Sequence, residues 1–412
     1  MDEADKVDQD AVFRARTTLL ASASSVEQRV EAYRVLAVVN PLVYLPRLTE
    51  ALISYACAYE IRDLPDVALA RDIEAVATAR RIDESVPTRT ELLVRALSGY
   101  LGELYRAGRR AEALAVCEEM AAAGRWGYEH GYEKYPAYGC WALAVALAEE
   151  GRHGEAAEIR ELMVGWERES GRRISFWKGV GWMAELAAAG RHEAALEAFA
   201  ELVDTTRAEA DAETAPLAAL VYVLVHHADM LSAAGRPGEA RAARQEALGV
   251  LTELEHTGER RNRGTGWHWW VRLLTLSGRP AEPAPTRDAS APAFGEEPGN
   301  WSPDVRKAYF DGVRPLEKQV ATARQDPSVP LPELIALHRR LTVRTAWCLE
   351  HRDRELRPLR PAVDEGVALA RRLGEREVLG RALTDRSMFL VAAKQYGEAH
   401  EDFREVCELL DR

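Results

Sequence analysis

The sequence predicts an all-α protein, a solenoid of antiparallel helix pairs. Three observations carry this expectation. A short phrase recurs, as AGRRAEAL at 107–114, EGRHGEAA at 150–157, AGRHEAAL at 189–196, AGRPGEAR at 234–241 and SGRPAEP at 277–283; its glycines at 108, 151, 190, 235 and 278 are spaced 43, 39, 45 and 43 residues apart. Apolar residues step by four and three ahead of each glycine, a spacing that keeps side chains on one helix face. No segment sustains strand alternation between turn signals.

Taken in order, residues 1–10 (MDEADKVDQD) read as a disordered acidic tail, with no basic start and apolar stretch of a secretory signal. Residues 11–279 form the N-terminal solenoid, its first part, 11–60, a degenerate cap. Each phrase glycine lies between two Ala- and Leu-rich stretches, where a C-cap residue with positive φ belongs, so the phrase is expected to be the tight turn of a helical hairpin. The first-helix core face is read as Leu97, Leu101 and Leu104; Cys140, Ala144 and Leu147; Gly179, Met183 and Leu186; Leu224, Ala228 and Leu231; and Trp267, Val271 and Leu274. Five residues after the glycine, Ala113, Ala156, Ala195 and Ala240 let the second helix approach closely. A sixth copy, AKQYGEAH at 393–400, has Lys394 for the glycine and keeps Ala399. Copy 190 places Glu193 one residue early. Between them, 280–303 is too rich in Pro to continue a helix and reads as a linker or long surface loop. Residues 304–412 form a C-terminal helical region with further repeats, with helical periodicity over 304–325, 331–352, 361–373, 375–393 and 397–411.

Composition bounds the function classes. The 412 residues carry 54 Lys plus Arg against 66 Asp plus Glu, a net charge of −12, which argues against a dedicated nucleic-acid binder. At 47% hydrophobic and 29% charged, the chain has ample apolar material for a core. The longest uncharged apolar run, Leu217 to Val225, is less than half a bilayer span, so no membrane segment is expected; the reading is cytoplasmic. Cysteines 57, 117, 140, 348 and 407 are scattered without a C-x-x-C pair and form neither a disulfide framework nor a zinc site. Lys occurs only at positions 6, 134, 178, 307, 318 and 394, so Arg supplies nearly all the basic residues, a usage associated with high-GC bacterial genomes.

Catalytic signatures are weak. His351-Arg352-Asp353 lacks every other part of a kinase set. Gly264-Thr265-Gly266 runs into Trp267 and not into a phosphate-cradle Lys. His226, His227 and Asp229 share a helical turn, but adjacent histidines point about 100° apart. No catalytic residue, metal or cofactor is assigned. Arg260, Arg261 and Arg263, followed by Trp267, Trp269 and Trp270, form a secondary basic patch that could stack on bases, meet an acidic protein segment, or pack within the repeat.

Paired helices, a Gly-centred turn, a fixed Ala and Trp267 at the start of one first-helix core resemble the tetratricopeptide repeat family, over residues 46–279 and again over 361–412. The period is longer than that family's 34 residues. The resemblance implies a right-handed superhelical solenoid whose first helices line a concave groove, faced by the residues thirteen, ten, six and three places before the turn. That rule assigns Arg95, Ser98 and Tyr105, then Tyr138 and Trp141, Trp177, Tyr222 and Asp229, and His268 and Arg272 to the groove, with Val145, Ala148, Ala184 and Ala187 keeping it shallow. It implies a non-catalytic scaffold for a protein or peptide partner, with a sensor of a signalling peptide or small molecule as the alternative. The Lys and Asn residues of a chaperone-tail clamp are missing, since Asn occurs only at 40, 262 and 300.

Overall fold

A computed structural model describes residues 8–21, 24–56, 65–259, 266–286, 289–351, 355 and 357–411. All regular structure among them is helical, apart from one isolated bridge between Thr286 and Ala289. The chain divides into two compact units, Met1–Leu147 with Ser302–Asp304, and Ala148–Trp301 with Val305–Arg412. This division does not follow the expected one at 280–303.

The first unit holds α1 (Gln9–Leu20), α2 (Val26–Val39), α3 (Pro41–Ala56), α4 (Pro65–Arg80), α5 (Arg89–Arg106), α6 (Arg110–Glu129) and most of α7 (Trp141–Glu149). From α1 to α6, each helix packs on the next. Helix α1 begins inside the expected tail, because the Asp8 carboxylate accepts from the Asp10 N–H. Ser25 and Gln28 close a capping box at α2. Leu36, Leu52, Leu97, Leu104 and Ala113 are fully buried, so the core face read from the spacing is the one the helices bury.

The recurring phrase is a Schellman turn with an added side-chain clamp. Gly108 has φ +69°, its N–H donates to the Tyr105 carbonyl (3.1 Å), and the Arg109 N–H reaches back to the Leu104 carbonyl (2.9 Å). The same pair of bonds recurs at Gly190, to Ala187 and Leu186, and at Gly235, to Ser232 and Leu231. Lys394 makes it as well, at φ +60°, with bonds to Val391 and Leu390. The Arg after the glycine then donates bidentately to the phrase's Glu, as Arg109 to Glu112, Arg152 to Glu155 and Arg236 to Glu239 (2.5–2.7 Å). Gln395 to Glu398 replaces the clamp at Lys394. In copy 190 the displaced Glu193 leaves Arg191 to pair with Glu161. The fifth copy departs from this expectation: Gly278 has φ −87°, only the single 3-10 turn Arg279–Ala281 and no α-helix follows it, and it is buried with a Cβ position only 3.1 Å from Val343. Gly278 therefore serves close helix packing and not a hairpin turn.

The second unit holds α8 (His153–Glu169), α9 (Phe176–Ala188), α10 (His192–Asp211), α11 (Leu217–Ala233), α12 (Pro237–Thr257), α13 (Trp267–Gly278), most of α14 (Pro303–Asp311), α15 (Val313–Gln325), α16 (Leu331–His351), α17 (Arg360–Leu373), α18 (Arg376–Ala392) and α19 (Tyr396–Leu410). The stretch expected as one helix over 304–325 breaks at Gly312, where a Cβ would meet the Arg344 guanidinium at 2.5 Å. From α8 to α12 each helix packs on the next. The stacking then leaves chain order, since α19 docks on α12. A buried ion pair of Arg244 with Asp411 (2.6 Å) and a more exposed contact of the His400 ring with the Glu255 carboxylate (3.0 Å) fix that docking. Helix α13 packs on α11, α16 and α18. Its buried ring is Trp270, 3% exposed, and not Trp267; the first residue of the helix has no preceding turn to cover it, so Trp267 is only half-buried.

Within the first unit, Asp72 on α4 is 5% exposed, with its carboxylate against the site where Gly99 of α5 lacks a Cβ. Burial, with Glu103 adding to it and Arg106 opposing, pushes its pKa up to about 6. The native state thus takes up this proton before the unfolded chain does, so the strain of the buried charge is present at pH 7 and is relieved as pH falls from about 6 to about 4. Asp72→Asn should raise the melting temperature of the first unit at pH 7 by about 2–4 °C. That difference from wild type should vanish toward pH 4; a difference independent of pH in a calorimetric series would contradict the assignment.

Candidate functional site

The residues assigned to a groove meet different fates. In the first unit, Arg95 and Ser98 are exposed, Arg95 pairing with Glu91 (3.4 Å), and Trp141 is half-buried. Tyr138 is half-buried against the core, which with Glu133 and Glu91 raises its phenol pKa. Tyr105 is no groove residue: it is 6% exposed, with Cys117 at 4.0 Å and the Arg110 guanidinium over its ring. In the second unit Tyr222 and Arg272, 2% and 4% exposed, are likewise interior. Trp177 lies edge-on to Phe176 and Trp269, with Arg272 stacked 4.4 Å from its ring centre. His268 is exposed and pairs with Glu350 (2.9 Å), and Asp229 pairs with Arg381 (2.5 Å). Arg260, Arg261 and Arg263 lie outside the described residues, as do Cys57 and the Arg352-Asp353 of the kinase-like fragment.

The groove face of α9 is filled by the chain itself. The second half of the Pro-rich segment is neither a free linker nor a surface loop: Ala293, Phe294, Gly295, Glu296 and Trp301 are buried, while Ala281, Pro283, Ala284, Thr286 and Ala289 lie at the surface. Gly295, at φ +100°, brings its backbone onto α9 so closely that a Cβ would lie 2.7 Å from the Ala184 Cβ and 3.2 Å from the Val180 carbonyl. Its carbonyl accepts from the Arg272 guanidinium (2.8 Å), and the neighbouring Glu296 pairs with Arg160, both side chains under a tenth exposed. The Ala291 N–H donates to the Glu149 carbonyl (3.0 Å), and the Trp301 indole N–H to the Ala293 carbonyl (3.1 Å). Trp301 and Phe294 then pack on Tyr309, and Trp301 on Trp347. Ala184, one of the small residues read as a shallow groove floor, is thus part of the seat of this strap.

An open cavity remains elsewhere in the second unit. Helices α16, α17 and α18 enclose about 390 Å³, walled by Ile335, Ala336, Val363, Gly366, Val378 and Ala382 among others. Its size and apolar walls with a few polar groups suit a small ligand. At one end Arg339 donates to both oxygens of Asp385 (2.7 and 3.2 Å) and to the Ser277 hydroxyl (2.7 Å). Arg381, one turn before Asp385, donates to Asp229 on α11 (2.5 Å). Arg381 and Asp385 also line a second space of about 30 Å³ beside Tyr222, His226, Asp229 and Trp270. Burial lowers the His226 pKa to about 4, so the ring is neutral at pH 7. Burial also lowers the pKa of His338 in the cavity wall, against the pull of Glu365.

Sequence reasoning assigned Tyr222 and Asp229 to a binding face and Trp270 to the neighbourhood of a basic patch, but missed Arg381 and Asp385 of the same junction. Arg381 stands thirteen residues before Lys394, so the groove spacing picks it out once Lys394 is treated as the turn residue that its φ shows it to be. Arg339 lies in a helix without a phrase, and no local signal marks it. Among the described residues no three or more His, Cys, Asp or Glu side chains are placed to hold a metal, and no helix is long and apolar enough to cross a membrane.

No family model matches the chain, and no curated protein matches its sequence. Among solved structures, the apo form of the quorum sensor NprR from B. thuringiensis aligns at 12% identity over 98% of this chain and 99% of that one, with a TM-score of 0.34. A circular tandem repeat protein with novel repeat topology aligns at 17% identity over 98% and 87%, with a TM-score of 0.13. These are likenesses at low superposition scores.

The seating of the strap is directly testable. In wild type, chymotrypsin should spare Phe294 and Trp301 while the native state holds. Gly295→Val, which forces a side chain against Ala184, should expose both bonds to early cleavage. Early cleavage of wild type at these two bonds would show that the strap is not held.

Proposed function

We propose that the chain is a non-catalytic receptor whose second unit takes a small molecule or short peptide between α16, α17 and α18. The single observation that carries this is the cavity itself, apolar along its walls and ending in the Arg339–Asp385 and Arg381–Asp229 pairs. Repeat packing alone gives no reason to leave about 390 Å³ open beside a built polar end, since helix interfaces close to near-crystal density. A sensor fits this geometry better than a scaffold grasping a helix in the second unit, because the strap covers the α9 face such a partner would need. The scaffold reading keeps its support in the first unit, where Arg95, Ser98 and Trp141 stay accessible for a protein or peptide partner.

Gly366 offers the cleanest test, since it lines the cavity and a Cβ there would come no closer than 3.8 Å to the nearest side chain, His338. Gly366→Leu should fill the space and raise the melting temperature by a few degrees, as cavity filling and the removal of a helical glycine both favour the fold. Native mass spectrometry of the protein recovered from its own host should show a small adduct that Gly366→Leu abolishes. An adduct retained by the variant would place the site elsewhere.

A further inference from the structure

We propose that the ligand of this cavity is an apolar molecule bearing an uncharged hydrogen-bond acceptor, a carbonyl, received by Arg381, Tyr222 and Trp270; this rests on the receptor reading above. The junction of the two spaces has a surplus of donors. The Tyr222 hydroxyl and the Trp270 indole N–H are buried and have no hydrogen-bond partner among the described residues. Both residues line the smaller space, and such orphaned groups are costly in an interior unless something accepts from them. The indole can only donate. Arg381 uses one N–H on Asp229, and its side chain is 40% exposed, which leaves further donors for a ligand.

The same junction has no surplus of positive charge. Two guanidiniums, Arg339 and Arg381, stand against two carboxylates, Asp385 and Asp229, and Glu377 adds a third carboxylate at the cavity wall. His226 is neutral, and His338 in the wall is held by Glu365 (3.3 Å). A ligand carboxylate would find donors but face Asp229, Asp385 and Glu377 without a free cation to offset them. An ammonium would face Arg381 and leave the Tyr222 and Trp270 donors unpaired. A carbonyl accepts these hydrogen bonds and brings no charge. The volumes agree: about 30 Å³ holds one water-sized atom group, and about 390 Å³ holds an apolar body of roughly a dozen heavy atoms on the same scale.

The test uses the full chain and three probes of one length, N,N-dimethyldecanamide, decanoate and decylammonium, titrated calorimetrically. The amide should bind at least about tenfold more tightly than either charged probe. Tyr222→Phe and Trp270→Phe should each weaken the amide by about fivefold to twentyfold. Tyr222→Phe should meanwhile leave the melting temperature unchanged or raised, because it removes an unpartnered buried hydroxyl. If a charged probe binds as tightly as the amide and Gly366→Leu abolishes its binding, the carbonyl assignment fails and the receptor reading stands. The assignment fails equally if both Phe variants keep full amide affinity, as they would if only an ordered water meets Tyr222 and Trp270. Binding by none of the three probes overturns the receptor reading itself.

Discussion

Four hairpins of the repeat kind among the described residues each depend on one residue in the left-handed region, which ends the first helix and turns its own N–H and that of the next residue back onto it. At Gly108, Gly190, Gly235 and Lys394 the second of those N–H groups reaches the carbonyl of a buried Leu, four residues before the turn. The turn and the core are thus coupled through one residue: the Leu whose side chain fills the interface is the Leu whose carbonyl closes the helix. The Arg–Glu clamp then fixes the first turn of the following helix. Lys394 shows that the position needs the conformation and not glycine as such, since a non-glycine residue holds φ +60° there with both hydrogen bonds intact.

This coupling explains which parts of the fold were legible in the sequence. The phrase and the apolar steps ahead of it are local, and the faces they mark at Leu97, Leu101 and Leu104 or Leu224, Ala228 and Leu231 are buried. Gly278 misled because the same letters occur where two prolines follow and only a 3-10 turn, Arg279–Ala281, forms in place of a second α-helix. Trp267 misled because a core-face position in the first turn of a helix has too little structure ahead of it, while Trp270, one turn on, does not. The groove assignment failed at Tyr105, Tyr222 and Arg272 because it treats the first-helix face as open, whereas Cys117 and Arg110 of the next helix cover Tyr105, and side chains and segments far away in sequence cover the face in the second unit. The partners Arg160 and Glu296 are 136 residues apart, and no spacing rule links them.

Buried charge marks the places where the second unit departs from chain order. Arg160 with Glu296 seats the strap, Arg244 with Asp411 docks α19 on α12, and Arg344 with Glu282 (2.5 Å) ties α16 to the segment after α13. A buried pair is weak evidence for stability, since desolvation offsets most of its attraction. Leaving either partner alone in the interior is strongly unfavourable, however, so each pair penalises arrangements in which its two segments are apart. In a repeat protein, where any hairpin could stack on several others through similar Ala and Leu faces, that penalty distinguishes the return of α19 onto α12 from simple continuation after α13.

The cavity is built from the elements that make this return. Helix α18 lines it through Val378, Arg381, Ala382 and Asp385, carries Arg381 across to Asp229 on α11, and is the hairpin partner of α19. A ligand that binds only the assembled α16, α17 and α18 stabilises that assembly in proportion to the logarithm of its concentration over its dissociation constant. Its effect passes to the α12–α19 contact because α18 and α19 are joined by a turn whose carbonyl acceptor, Leu390, is itself buried. On the proposed receptor reading, a ligand that needs the α12–α19 contact intact would strengthen it by the same factor by which loosening the contact would weaken the ligand.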